Sequence, residues 1–212
     1  MGRKSISHIR KPEILRHTYK VVEEEGFMGM TIGKIASRMG VNSGLLIHYF
    51  KSKEGLIMEM VDYLFKISMT SYHKELEKYT TPKARFQGLM HILFSTSDKG
   101  PQRDAVFWSC YAMGFRNPDI RERIQDMQKK FIAFGVKEIT SWEDAGLVTV
   151  PDKEKAAATI LALSEGFGIL RNSLKDLHSL EEIAHSMQKC ALEALGAVEP
   201  ATTSTADRIS AQ

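Results

Sequence analysis

Residues 31–54, TIGKIASRMGVNSGLLIHYFKSKE, decide the fold. The Thr31 hydroxyl can accept a bond from an orphan amide at a helix start, and Ile32, Ile35, Ala36 and Met39 then fall on one apolar stripe. Gly40 ends that helix, because glycine takes the left-handed backbone of a helix C-terminus without a side-chain penalty, and Val41 plugs the corner that follows. Asn42 caps a second helix, Ser43 to about Phe50. It is only about two turns long, so packing must hold it in place. Another helix begins at Ser52. Two short helices across a glycine turn, backed by a scaffold helix, make a helix-turn-helix outline, and a short stiff helix of this kind suits the DNA major groove.

The residue types at the start of the second helix fit that use. Asn42 and Ser43 are small polar groups for phosphates or base edges, Gly44 permits close approach, and Leu45 is an apolar group suited to a thymine methyl. Leu46 and Phe50 fall in core phase. His48 and Tyr49, one turn on, supply hydrogen bonds to phosphate or a base edge, and Lys53 adds a positive charge at the next helix start, with Thr31 completing the DNA-facing set. Charge is distributed accordingly. Residues 1–55 hold ten Lys or Arg against five Asp or Glu, while residues 56–212 hold nineteen against twenty-one. That asymmetry is the footprint of a protein whose affinity for phosphates is electrostatic. Arg3, Lys4, Arg10 and Lys11 either extend it as an arm along DNA or form an ordinary solvated terminus.

The rest of the chain reads as all-α, about nine helices in total. A first helix begins at Pro12, places Leu15, Tyr19 and Val22 on one face and stops at Gly26. The fourth carries Leu56, Ile57, Met60, Val61, Leu64 and Ile67, and runs to about Leu76. Thr81-Pro82, Gly100-Pro101 and Asn117-Pro118 open the next three, the sixth running through Phe115 and the seventh ending before Gly146; LVTVPD is then a loop. Two more span about Asp152 to Leu174 and Ser179 to Leu195, the latter with a predicted Ser179/Glu182 capping box. The domains expected are a helix-turn-helix domain at 1–55, a helical effector-binding and dimerisation domain at 56–198, and a disordered tail at 199–212.

At these residues the chain resembles the TetR family of ligand-responsive transcriptional repressors. The pattern is Gly26-Phe27, Met30-Thr31-Ile32, Ile35-Ala36, Gly40-Val41, Gly44, His48-Tyr49-Phe50, Lys53-Glu54 and Leu56, over roughly residues 12 to 60. GLLIHYFKSKEGL is most similar to the BetI-like subgroup, whose named member responds to choline. Many members carry threonine where Leu45 stands and tyrosine where Ile47 stands, so the chain departs from the pattern twice. The resemblance implies a dimer interface formed by the last two helices, here with Ala157, Ile160, Leu161, Phe167, Ile183, Met187 and Ala191. It also implies an effector pocket within the larger domain. Candidate lining residues are Phe86, Met90, Phe94, Trp108, Tyr111, Phe115, Phe131, Trp142 and Phe167, among which Trp108, Tyr111 and Trp142 can build an aromatic cage for a quaternary ammonium. Glu165 reads as either a pocket anion or an interface ion-pair partner.

Enzymatic motifs are missing. GMTIGKI at Gly29 has three residues between its glycines where a phosphate loop needs four, and Ile35 stands where Ser or Thr would bind magnesium. No HExxH, GxSxG or GxGxxG occurs. Cys110 and Cys190 read as small reduced packing residues, and no cofactor or metal is expected. With no apolar stretch of membrane-spanning length and no signal segment, a cytoplasmic protein is expected. Its expected partners are an operator in double-stranded DNA, a small-molecule effector and a second copy of the chain.

Overall fold

The computed structural model describes residues 7–96, 105–173 and 179–197. Among these lie nine helices and no strand: α1 (Ser7–Gly29), α2 (Ile32–Met39), α3 (Ser43–Phe50), α4 (Lys53–Leu76), α5 (Pro82–Leu93), α6 (Ala105–Gly114), α7 (Pro118–Asp144), α8 (Lys153–Ser173) and α9 (Leu180–Ala194). The predicted Gly100-Pro101 start, the tail at 199–212, and Arg3 and Lys4 fall outside the described residues. Packing groups the helices into two compact units. One takes the described residues of 1–77 and 98–130, the other those of 78–97 and 131–212.

In the first unit α2 and α3 pack on α1, and α3 on α4, around Ile14, Leu15, Met30, Ile35, Leu46, Leu56 and Met60. α6 packs on α1 and α4. Helix α1 begins at Ser7 rather than Pro12, which lies inside it. The added turn is tied down from outside: Lys11 pairs with Glu59 of α4 and lies 5.5 Å from the Phe50 ring centroid. Arg10 is held by Glu13 at 2.8 Å. These two basic residues therefore belong to the helix and to ion pairs, not to an arm. Gly26 breaks α1 as expected (φ 69°, ψ 172°), and one further helical turn precedes α2.

The second unit holds α5, the C-terminal part of α7, α8 and α9. Thr81 caps α5 by accepting from the Ala84 amide at 3.2 Å, and the stripe Phe86, Leu89, Met90, Leu93 and Phe94 is buried as its spacing predicts. The Phe86 and Trp142 rings meet edge-on at 4.9 Å, and Phe94 lies 6.2 Å from Phe167. α7 and α8 approach closely at Gly135, where a Cβ would stand 3.0 Å from that of Ala157. The connecting loop buries Val148 and Val150, and the Thr149 amide donates to the Leu195 carbonyl at 3.3 Å. Two polar groups, Glu138 and Arg171, are buried. Glu138, 5% exposed, accepts two bonds from Arg85, at 2.6 and 3.3 Å. Arg171, equally buried, donates to the Ser95 carbonyl at 2.8 Å beside the Phe167 ring.

Two expectations fail here. Ser179 makes no capping bond, because its backbone (φ −97°, ψ 8°) is not the extended one that aims a cap hydroxyl at the next amides. Cys190 is exposed and so is not a packing residue within this chain, whereas Cys110 is buried.

Candidate nucleic-acid interface

The reading head is assembled by caps. Thr31 Oγ1 accepts from the Lys34 amide at 3.2 Å and starts α2. Gly40 is left-handed (φ 66°, ψ 31°), and the Val41 amide closes back on the Ala36 carbonyl at 3.0 Å, finishing the helix and turning the chain. Asn42 Oδ1 then accepts from the Gly44 amide at 2.7 Å and starts α3. At the far end of α3, Lys51 takes a positive φ outside the helical regions (φ 67°, ψ −45°), and its Nζ donates to the His48 carbonyl at 3.1 Å. Ser52 Oγ accepts from the Gly55 amide at 3.0 Å and starts α4. This last joint is tight. A Cβ on Gly55 would stand 2.2 Å from the Phe50 carbonyl oxygen, so only glycine lets α4 begin directly against the end of α3.

That geometry sorts the residues expected to face DNA. Thr31, Asn42, Gly44 and His48 are exposed; Ser43, Leu45, Tyr49 and Lys53 are half-buried. His48 and Tyr49 stand edge to face at 5.2 Å. Leu46 and Phe50 point inward, 0 and 4% exposed, as their phase requires. Thr31 and Asn42 spend one oxygen each on capping, which leaves the hydroxyl proton of Thr31 and the side-chain amide donors of Asn42 for an incoming acceptor. Two exposed residues carry no role in the sequence pattern, Ile47 on this helix and Lys51 just past its end. The signal for Ile47 was its place between the two inward positions.

Electrostatics separate the cations of this region. Lys34 pairs with Glu25, Arg38 clasps Glu24 at 2.6 and 2.9 Å, and Lys20 meets Glu23 at 2.6 Å. The acidic run on α1 thus neutralises the basic residues nearest to it. Among the described residues, Lys51 and Lys53 make no ion pair with a carboxylate, so positive charge concentrates at the α3–α4 joint. Glu54, next to Lys53, is held below the usual carboxylate range by hydrogen bonds from its own amide and from Ser52, with Lys53 adding to the effect.

The other two residue sets fare differently. Of the pocket candidates, Phe86, Met90, Phe94, Trp142 and Phe167 are buried and Phe131 half-buried in the second unit. Trp108 and Tyr111, 5.8 Å apart, are half-buried on α6 of the first unit. Phe115 is 77% exposed: α6 ends at Gly114, so the helical stripe to which Phe115 was assigned stops before it. Of the interface candidates, Ala157, Ile160, Phe167 and Ala191 are already buried within the single chain, since α8 and α9 pack on each other. Only Leu161, Ile183 and Met187 keep exposed surface for a second copy.

Comparison with known proteins matches the description "Bacterial regulatory proteins, tetR family" over residues 14–60 and "Tetracyclin repressor-like, C-terminal domain" over residues 81–197. The chain is similar to the HTH-type transcriptional regulator BetI of Proteus mirabilis, 25% identical over 83% of this chain and 86% of that protein. The BetI of Rhizobium meliloti is 22% identical over 82% and 83%. In fold it is similar to a TetR transcription regulator from Haloarcula marismortui (TM-score 0.71, 22% identity, 89% of this chain and 97% of that one). A Saccharomonospora viridis protein solved in complex with choline gives a TM-score of 0.70 at 19% identity, over 88% and 96%. No helix among the described residues is long and apolar enough to cross a membrane. With both of its halves matched, the chain belongs to the TetR family of bacterial transcriptional regulators.

Proposed function

We propose that this regulator is a ligand-responsive repressor: a homodimer that binds a pseudo-palindromic operator and is released by a small-molecule effector. The observation that carries the reading is the α3 surface. A helix capped at its N-terminus by Asn42 presents Gly44, His48 and Tyr49 beside Lys51 and Lys53, cations that form no ion pair with a carboxylate among the described residues. One such helix reads one half-site; a two-fold partner places a second about 34 Å away, one DNA turn along. Residues 1–55 would form the DNA-reading domain and 56–198 the effector and dimer domain, acting in the cytoplasm where the DNA is. Leu161, Ile183 and Met187 supply the apolar surface for the second copy.

Release requires the effector to bind the two conformations unequally. Helix α4 carries Lys53 at its first residue, so a small tilt of α4 would misplace the reading helix with it. The effector class to test first is a quaternary ammonium, on two grounds: the similarity to BetI regulators and to a choline-bound protein, and the paired Phe86 and Trp142 rings of the second unit. A DNA-binding activator with the same reading head is the alternative, and transcription of the bound operon in a deletion strain separates the two.

The test is selection of genomic fragments by the purified protein at physiological salt, with Tyr49→Ala and Lys53→Ala in parallel. A two-fold-symmetric motif is expected. Each substitution should weaken binding about ten-fold, and Lys53→Ala should also lower the salt dependence by about one unit of slope per half-site. Fragments bound equally by all three proteins would refute the reading surface.

A further inference from the structure

Ile47 is a branched aliphatic side chain left 51% exposed on α3, between Leu46 and Phe50, which are buried at 0 and 4%. Single exposed apolar residues are ordinary on protein surfaces, so exposure alone decides nothing. Its neighbours on the same face decide more. Gly44 lies three residues before it on the same face of α3 and exposed His48 follows it, while exposed Lys51 stands just past the end of the helix. Gly44 has no side chain to hold a surface away, and the Lys51 ammonium is drawn back onto the His48 carbonyl at 3.1 Å. The face therefore offers an apolar projection flanked by a gap and by polar groups.

An aliphatic side chain can neither donate nor accept a hydrogen bond. In the major groove the one apolar group that a base pair presents is the C5-methyl of thymine. We propose that Ile47 is a specificity-determining residue that packs on a thymine C5-methyl in each operator half-site, so that the operator carries an A·T pair at a fixed position under the middle of α3. This inference rests on the DNA-binding reading above and deepens it.

The purified full chain selects duplexes from a random library, and the enriched sequence is then remade with each thymine in turn replaced by deoxyuridine, which removes only the methyl. At one symmetric position wild-type affinity should fall about four-fold per half-site and roughly fifteen-fold when both are changed, the size expected for one buried methyl each. Ile47→Ala should bind thymine and uracil duplexes equally, at about the wild-type affinity for the doubly substituted duplex, with an unchanged salt dependence. Ile47 lies outside the core at 51% exposure and alanine is the strongest helix former, so the variant's helix content should match wild type. Failure to enrich any sequence overturns the DNA-binding reading and this inference with it. An enriched sequence indifferent to uracil at every position, or an Ile47→Ala protein that still discriminates, overturns the role of Ile47 alone.

Discussion

The two units of the molecule differ in how deeply their ion pairs are set. In the reading head the ion pairs Lys34 to Glu25, Arg38 to Glu24 and Lys20 to Glu23 all lie at the surface, with side chains 37 to 50% exposed. In the second unit the Glu138 carboxylate is 7% exposed and takes a forked Arg85 guanidinium across from α5 to α7. Exposed pairs are screened and are worth well under about 1 kcal/mol, whereas removing one partner of a buried pair strands a charge at a cost of about 3 kcal/mol or more. The reading head is consequently held by caps, close backbone contacts and apolar packing, while its surface charges stay available to exchange partners with phosphates. The second unit has a part-buried polar joint, with Glu138 inside and the Arg85 side chain 29% exposed.

Arg85→Ala is the strongest way to break that contrast. It should destabilise the second unit by about 3 kcal/mol, while Arg38→Ala should change the first by less than about 0.5 kcal/mol. The tryptophans divide between the units, Trp108 in the first and Trp142 in the second, so single-tryptophan variants report each one separately in urea unfolding. Equal effects from the two substitutions would mean that the exposed pairs of the reading head carry structural weight.

Glycines make a second contrast, with the positions reversed. A Cβ on Gly55 would meet the Phe50 carbonyl oxygen at 2.2 Å, a backbone atom fixed by the end of α3. A Cβ on Gly88 would meet the Tyr79 ring at 2.3 Å, part of a half-buried side chain that can rotate away. Gly55→Ala should therefore cost about 2 kcal/mol and abolish operator binding by shifting α3 against α4, and Gly88→Ala should cost about 1 kcal/mol and leave operator binding intact. Fluorescence anisotropy on the selected operator, beside thermal melts, reads both. Normal operator affinity in Gly55→Ala would show that the joint does not position the reading helix.

Caps give a smaller difference. Asn42→Ala should cost about 1 kcal/mol, since it orphans the Gly44 amide, and Ser179→Ala should be close to neutral because Ser179 makes no capping bond. Thermal melts of the two variants check this. A Ser179→Ala penalty as large as that of Asn42→Ala would restore the predicted capping box.

What the sequence made legible follows how far each residue must reach for its partners. Thr31, Asn42, Ser52 and Thr81 bond amides two or three residues away, so their helices begin where local pattern places them. The start of α1 depends on Lys11 reaching Glu59, 48 residues on, and no local signal carries that. Phase alone put Leu46 and Phe50 inside. It could not distinguish Leu45 from Ile47 on the flanks, and the structure leaves Ile47 the more exposed of the two. The apolar faces of α8 and α9 look the same in sequence whether they meet their own chain or a copy. Ala157, Ile160, Phe167 and Ala191 therefore read as interface residues from the sequence, and the single chain already buries them.

The smallest contrast concerns two carboxylates, Glu54 and Glu143, both held below the usual range. Glu54 owes this to bonds within its own helix start. Glu143 owes it first to Lys153, at 2.5 Å, and then to the Val150 amide, at 3.1 Å, so it clasps the connection between α7 and α8. A carboxyl whose folded pKa lies below its unfolded value near 4.5 stabilises the native state above that pH and loses the contribution as pH falls through the folded pKa. Glu143→Gln keeps an acceptor for Val150 but has no proton to take up. Its acid unfolding, followed through Trp142 below about pH 4.5, should be shallower than wild type by up to about one proton, whereas Glu54→Gln should leave the Trp142 curve unchanged. Glu143 is only half-buried, so the effect should shrink as salt is raised. An acid limb in Glu143→Gln as steep as wild type would mean that folding does not lower the Glu143 pKa and that neither Lys153 nor the Val150 amide favours its charged form.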